Sequence, residues 1–202
     1  MAVSTYVSHF RDVLFLPKAL ALLFAIFAAF LFFYGGIQTA LPFLLSDSFD
    51  QSAKEIGVML AMVSVANAVV SSLYRRVSQW RSPAELVAIG FATYGISFVG
   101  IWLSPSPIYV GLSLLLFGTG FGLIMPSIDM TLVSLVSGRF RAGMIGMRTS
   151  MLRLGQTIGP LSFTYVAETG FVVTNDGYRS LMVVSGVLAL VAGIISYISL
   201  RR

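Results

Sequence analysis

The sequence contains no cysteine, which excludes disulfides and thiolate metal sites. It has one histidine, His9, beside Arg11 and Asp12 in a short lead, where it reads as a solvated or interfacial residue rather than a ligand. No metal or other cofactor is expected. Charge is scarce as well: Asp, Glu, Lys and Arg make up 10% of the 202 residues, where a soluble domain carries about a quarter. A Gly-x-Ser-x-Gly nucleophile elbow, paired aspartates and an Asn-Pro-Ala motif are all missing, so neither an intramembrane enzyme nor an aquaporin-like channel is indicated. Apolar residues are plentiful instead, at 57%, with a mean hydropathy of +0.90. The charges gather between long apolar runs, as a bilayer requires, because an ionised side chain in hydrocarbon costs about 2.5–3.5 kcal/mol even on the insertion scale. A pI near 9.8 does not signal nucleic acid here. The basic residues form no continuous stripe and mark helix ends.

Crossing the hydrocarbon core takes about 20 apolar residues at 1.5 Å each. Six stretches qualify: 19–45, 56–73, 84–103, 108–136, 143–167 and 180–200, after a lead over 1–18. The first run is too long for a signal-peptide core and is read as a helix that stays. Ser104-Pro105-Ser106-Pro107 and Asn175-Asp176-Gly177 punctuate tight connections. Nine basic residues flank one side of these spans: Arg11, Lys18, Arg75, Arg76, Arg81, Arg139, Arg141, Arg201 and Arg202. Two, Lys54 and Arg179, flank the other. The positive-inside rule then places both termini in the cytoplasm and the chain in the cell membrane. The expected fold is an all-α membrane protein, a six-transmembrane-helix bundle. A faint internal repeat accompanies it. Ile56-Gly57 and Ile145-Gly146 open the second and fifth spans, and an amide (Asn67, Gln156) lies eleven residues beyond each isoleucine. With three helices separating the copies, the halves would insert in opposite orientation, the inverted 3+3 arrangement of many secondary transporters.

Chemistry concentrates in the fifth span. Arg148 lies about two turns inside the cytoplasmic boundary and Arg153 about 7.5 Å deeper. The five residues between them turn the helix by roughly 140°, so the two arginines leave on different faces. Arg148 is placed to snorkel to the interface or to pair with Asp129, whose depth from the same loop is similar. A proton-coupling carboxylate is the alternative role for Asp129. Arg153, near mid-depth, is expected to face an aqueous cavity or a partner. Gly155 and Gly159, followed by Pro160, form a small-xxx-small ridge suited to close helix packing, as do Gly118, Gly120 and Gly122. The latter string is no dinucleotide fingerprint, because no strand precedes it. In the first span Phe27, Phe30, Tyr34 and Gln38 share one face, and Asn67 with Ser64 adds polarity to the second.

Arg141-Ala142-Gly143 followed by the run from Arg148-Thr149-Ser150 through Arg153-Leu154-Gly155-Gln156 to Gly159-Pro160 resembles the eleventh helix of drug-efflux-like members of the major facilitator superfamily. Tyr34-Gly35-Gly36 with Leu41-Pro42 is similar to the family's seventh helix, and Gly118 to Pro126 to its tenth. The stretch Ser71-Ser72-Leu73-Tyr74-Arg75-Arg76 stands where the family's first half carries glycines and an acid; their replacement resembles the second half. The resemblance therefore implies the C-terminal six-helix half of a transporter. Helices one and four would line the cavity, two and five would meet the other half, and three and six would face lipid. It offers Arg153, Gln156, Asn67, Tyr34 and Gln38 to a small-molecule substrate, with efflux as the implied activity. The expected partners are the bilayer and a second six-helix half, either another copy or a separate N-terminal half. A non-transporting remnant or assembly partner is the alternative.

Overall fold

The computed structural model describes residues 14–136, 138–169 and 177–201, with the side chain of Arg139 left out. His9, Arg11 and Asp12, the Asn175-Asp176 turn and Arg202 lie outside the described residues. Six long helices follow in order: α1 (Pro17–Phe49), α2 (Ala53–Val77), α3 (Pro83–Leu103), α4 (Pro107–Leu135), α5 (Arg141–Glu168) and α6 (Gly177–Arg201). Their starts are written in the sequence. Pro17, Pro83 and Pro107 occupy first helical positions, where the missing N–H would be unpaired anyway. Ser52 and Ser82 form capping boxes with Glu55 and Glu85, each satisfying two orphan donors. Asp50 ends α1 in the left-handed region at φ 50°, a conformation that Asp tolerates better than most residues.

Inside α1 the turns widen into a π-helix over Phe32–Ala40. Pro42 lacks the N–H that would bond the carbonyl four residues back, and Gly35-Gly36 lowers the cost of departing from α geometry. The Thr39 hydroxyl donates to the Tyr34 carbonyl at 2.8 Å, holding the widened turn.

Packing does not follow chain order. α2 packs on α4, α4 on α3, α3 on α6, α6 on α1 and α1 on α5, with α1 and α4 also touching. The bundle is thus an arc with α2 and α5 at its ends. Exchanging helices one, two and three for four, five and six leaves every one of these pairings in place, so the inverted 3+3 repeat is built into the packing. The flanking seams are lined by glycine, as membrane helices require for close approach. A Cβ on Gly155 would lie 2.6 Å from the Phe27 carbonyl oxygen, and one on Gly159 2.7 Å from that of Leu31. On the other flank, Gly118 and Gly122 of α4 lie against the carbonyls of Val63 and Asn67. Between the flanks, Phe91, Tyr94, Phe98 and Phe117 are fully buried.

Among the described residues five helices are long and apolar enough to cross a membrane: α1, α2, α3, α4 and α6. The fifth span expected from the sequence is present as α5, a helix of 28 residues, but it lacks the apolarity. Arg141, Arg148 and Arg153 and the polar Thr149, Ser150, Gln156 and Thr157 dilute it. Valines and isoleucines of α6, among them Val187 and Ile194, are exposed on its outer surface, as lipid contact demands.

Candidate functional site

α1 and α4 meet through aromatic rings. Phe30 stacks on Tyr34 at 6.1 Å and meets Phe121 edge-on at 5.6 Å, while Phe33 lies 5.2 Å from both Tyr34 and Phe121. Such pairs add about 0.5–1.5 kcal/mol each beyond area burial, so this aromatic floor of the arc helps hold α1 to α4. Tyr34 is half-buried in this cluster. Gln38 is exposed and makes no hydrogen bond among the described residues.

On α2 the side-chain carbonyl of Asn67 accepts from the Ser71 hydroxyl at 3.2 Å. Lower on the same seam, Tyr74 and Ser127 share a buried hydrogen bond of 2.9 Å. It ties the C-terminal end of α2 to α4, and Ser127 is held in turn by the Leu123 carbonyl.

On α5 the two intramembrane arginines part company as 140° of rotation demands. Arg148 turns inward: its Nε donates to Asp129 Oδ1, and a terminal nitrogen donates to Oδ2 at 2.9 Å. This fork-on-carboxylate geometry is the strong form of an ion pair. Arg148 and Asp129 keep 23% and 45% side-chain exposure, so the chain itself covers the pair only in part. Arg153 turns the other way. It is exposed, and among the described residues the one hydrogen bond of its guanidinium runs to Gln156 Oε1 at 2.9 Å along the same helix. It lies in a shallow depression of 470 Å³ with Thr149, Ser150 and Thr157, on the side of α5 away from α1. Arg153 and Gln156 are therefore brought together, while no hydrogen bond joins either of them to Tyr34, Gln38 or Asn67.

Several contributors escape a reading of the sequence. Phe33 falls outside the three-and-four spacing of Phe27, Phe30, Tyr34 and Gln38, and the widened helix brings it into the cluster. Phe121 sits within the glycine string of α4, where glycines draw the eye. The serines of the Ser71-Ser72 stretch read as lost glycines, yet Ser71 bonds both Asn67 and the Gly122 carbonyl. Only the polarity of that stretch could have suggested a bonded seam.

A family model described as Major Facilitator Superfamily matches residues 8–202. No curated protein matches the chain.

Proposed function

The chain belongs to the major facilitator superfamily, and from that premise we propose that it is one six-helix bundle of a secondary transporter, moving a small molecule by rocking against a second bundle. It is a multi-pass membrane protein of the transporter type that this family comprises. The finer reading is efflux, with both termini on the cytoplasmic side and the chain equivalent to the family's second half. Tyr34 and Gln38 offer hydrogen-bonding groups beside the aromatic floor, and Asn67 and Gln156 flank it.

One observation carries this reading. Arg153 lies twelve residues into α5, about 18 Å along its axis, on a face left uncovered among the described residues. An arginine at that depth does not face lipid without heavy cost. The same face of α5 continues through Gly146, Thr149, Ser150 and Thr157, all exposed. α2 presents a matching surface of small residues opposite α4: Gly57, Ala61, Ser64 and Ala68, again exposed. The two bundles of this family are parallel repeats about an axis along the membrane normal, so a second bundle would set its own flanking helices on these faces. A second copy would oppose Arg75 and Arg76 of α2 to Arg141 of α5, like charge to like, which favours a non-identical bundle.

Because the chain has no cysteine, single cysteines at Gly57 and Gly146 test the reading directly. Photo-cross-linking through a benzophenone maleimide attached to each cysteine should, in native membranes, join each position to a second six-helix polypeptide. Failure at both, with both thiols labelled by a lipid-soluble maleimide, would refute the paired bundle. In the assembled transporter, Arg153→Ala should abolish dye flux in proteoliposomes with expression near normal. Misfolding of that variant would assign Arg153 to packing.

A further inference from the structure

The α2–α4 seam is tight at one end and open at the other. A Cβ on Gly118 would overlap the Val63 carbonyl, and one on Gly122 would lie 3.0 Å from the Asn67 carbonyl oxygen. At Gly111, two turns nearer the α1–α2 and α3–α4 connections, the nearest atom is the flexible Met62 Sδ at 3.3 Å. The helices diverge there and leave a groove of 580 Å³. Val58, Met59 and Met62 of α2 and Ile108 and Leu112 of α4 line it. Ile108 is 75% exposed and Leu112 56%, so the groove opens sideways at membrane depth, away from the aromatic floor.

Protein closes two other seams at this end. Phe43 stacks on Tyr178 at 5.2 Å between α1 and α6, and Arg179 donates to the carbonyls of Trp102 and Ser104 between α6 and α3. Nothing similar fills the α2–α4 groove among the described residues. Gln51, Ser52, Lys54 and Glu55 edge one end of the groove; along its apolar walls water finds no partners, and an empty space there would forfeit dispersion contacts. Lys54 stands at the rim, with no carboxylate partner among the described residues. Its neighbour Glu55, which also lines the groove, accepts at Oε2 from the backbone N–H and hydroxyl of Ser52, so that oxygen is committed to the helix cap.

From this combination we infer that the groove holds an acyl chain of a glycerophospholipid whose phosphate rests on Lys54. The adaptable thioethers of Met59 and Met62 suit a flexible hydrocarbon. The lysine supplies an ammonium with three donors at the headgroup level.

The test is native mass spectrometry of the full chain purified in detergent and titrated with palmitoyl-oleoyl phosphatidylglycerol. One lipid should bind ahead of all others. Gly111→Leu, which fills the groove and asks only the tip of Met62 to move, should weaken that first event about tenfold or more. Lys54→Gln should weaken it about fivefold, yet leave binding of dioleoylglycerol, which has no phosphate, unchanged. Ile108→Trp, on the open wall where no neighbour is displaced, repeats the blocking test should Gly111→Leu misfold. The inference is overturned if no first lipid stands apart, or if the blocking variants and Lys54→Gln bind it as the parent does. A groove filled by another protein would overturn it too, and would show as Gly111→Leu impairing bundle pairing with lipid retention intact.

Discussion

The helices at the two ends of the arc, α2 and α5, occupy equivalent places in the inverted repeat and are similarly uncovered, yet they differ in chemistry. α2 is apolar enough to cross a membrane by itself, and between Glu55 and Arg75 it carries no charge. α5 carries Arg148 and Arg153 in its middle and depends on its neighbours for a place in the bilayer. One arginine is answered from within the chain by Asp129; the other is answered, among the described residues, only by Gln156 on its own helix. The architecture therefore makes two flanks available, and charge separates a flank that lipid could cover from one that calls for another surface.

Tightening the seams gives the largest effect on stability. Gly118→Val on the α2 side and Gly159→Val on the α5 side each drive a side chain into a carbonyl, and over-packing of this kind costs about 1–3 kcal/mol or more. Thermal unfolding in detergent should show both as strongly destabilised. A tolerated Gly159→Val would mean that α5 sits on α1 more loosely than α2 sits on α4.

A smaller loss is expected from the ion pair. Asp129→Asn leaves Arg148 without its carboxylate, and because Asp129 is 45% exposed the cost falls below that of a fully buried pair, at about 2 kcal/mol. Arg148→Gln should cost about as much. The reciprocal exchange, Asp129→Arg with Arg148→Asp, should recover part of the loss. Additive damage from the single changes would show that the groups act independently.

The smallest change is a gain. Nothing lies within 4 Å of a Cβ placed on Gly57 or Gly146, so Gly57→Ala and Gly146→Ala should each stabilise the lone bundle by about 0.5–1 kcal/mol through helix propensity. Gly57→Leu and Gly146→Leu should spare the lone bundle as well, while each weakens pairing, read as loss of the cross-link from the cysteine at the other position. A stability loss in the lone bundle at either alanine variant would place an unrecognised contact on that flank.

Much of this was open to the sequence because a bilayer punishes misplaced polarity so heavily. Apolar runs of the right length mark α1 to α4 and α6, and serine-to-glutamate spacing marks where α2 and α3 begin. The matching depths of Asp129 and Arg148, counted from one loop, already placed them within reach of each other. What the sequence hides depends on how helices sit beside one another. The π segment of α1 arises from Gly35-Gly36 and Pro42 acting together, each of which an ordinary membrane helix accepts. The outward aim of Arg153 requires knowing that α1 covers the Gly155 and Gly159 side of α5. The groove beside Gly111 exists because two helices splay, and no local pattern records a splay.

The pairing order of the arc also sets a timetable. Neighbours in sequence, α1 with α2 and α4 with α5, pack little, and the main partner of α1 is α5. At a synthesis rate of about 5–20 residues per second, the chain from Phe49 to Arg141 takes on the order of 5–20 s to emerge. Throughout that wait the glycine-lined side of α1 has no seam to close. Asp129, by contrast, waits only the 19 residues to Arg148, on the order of 1–4 s at that rate. A newborn bundle thus neutralises its mid-helix acid almost at once, and its first helix is among the last to be held.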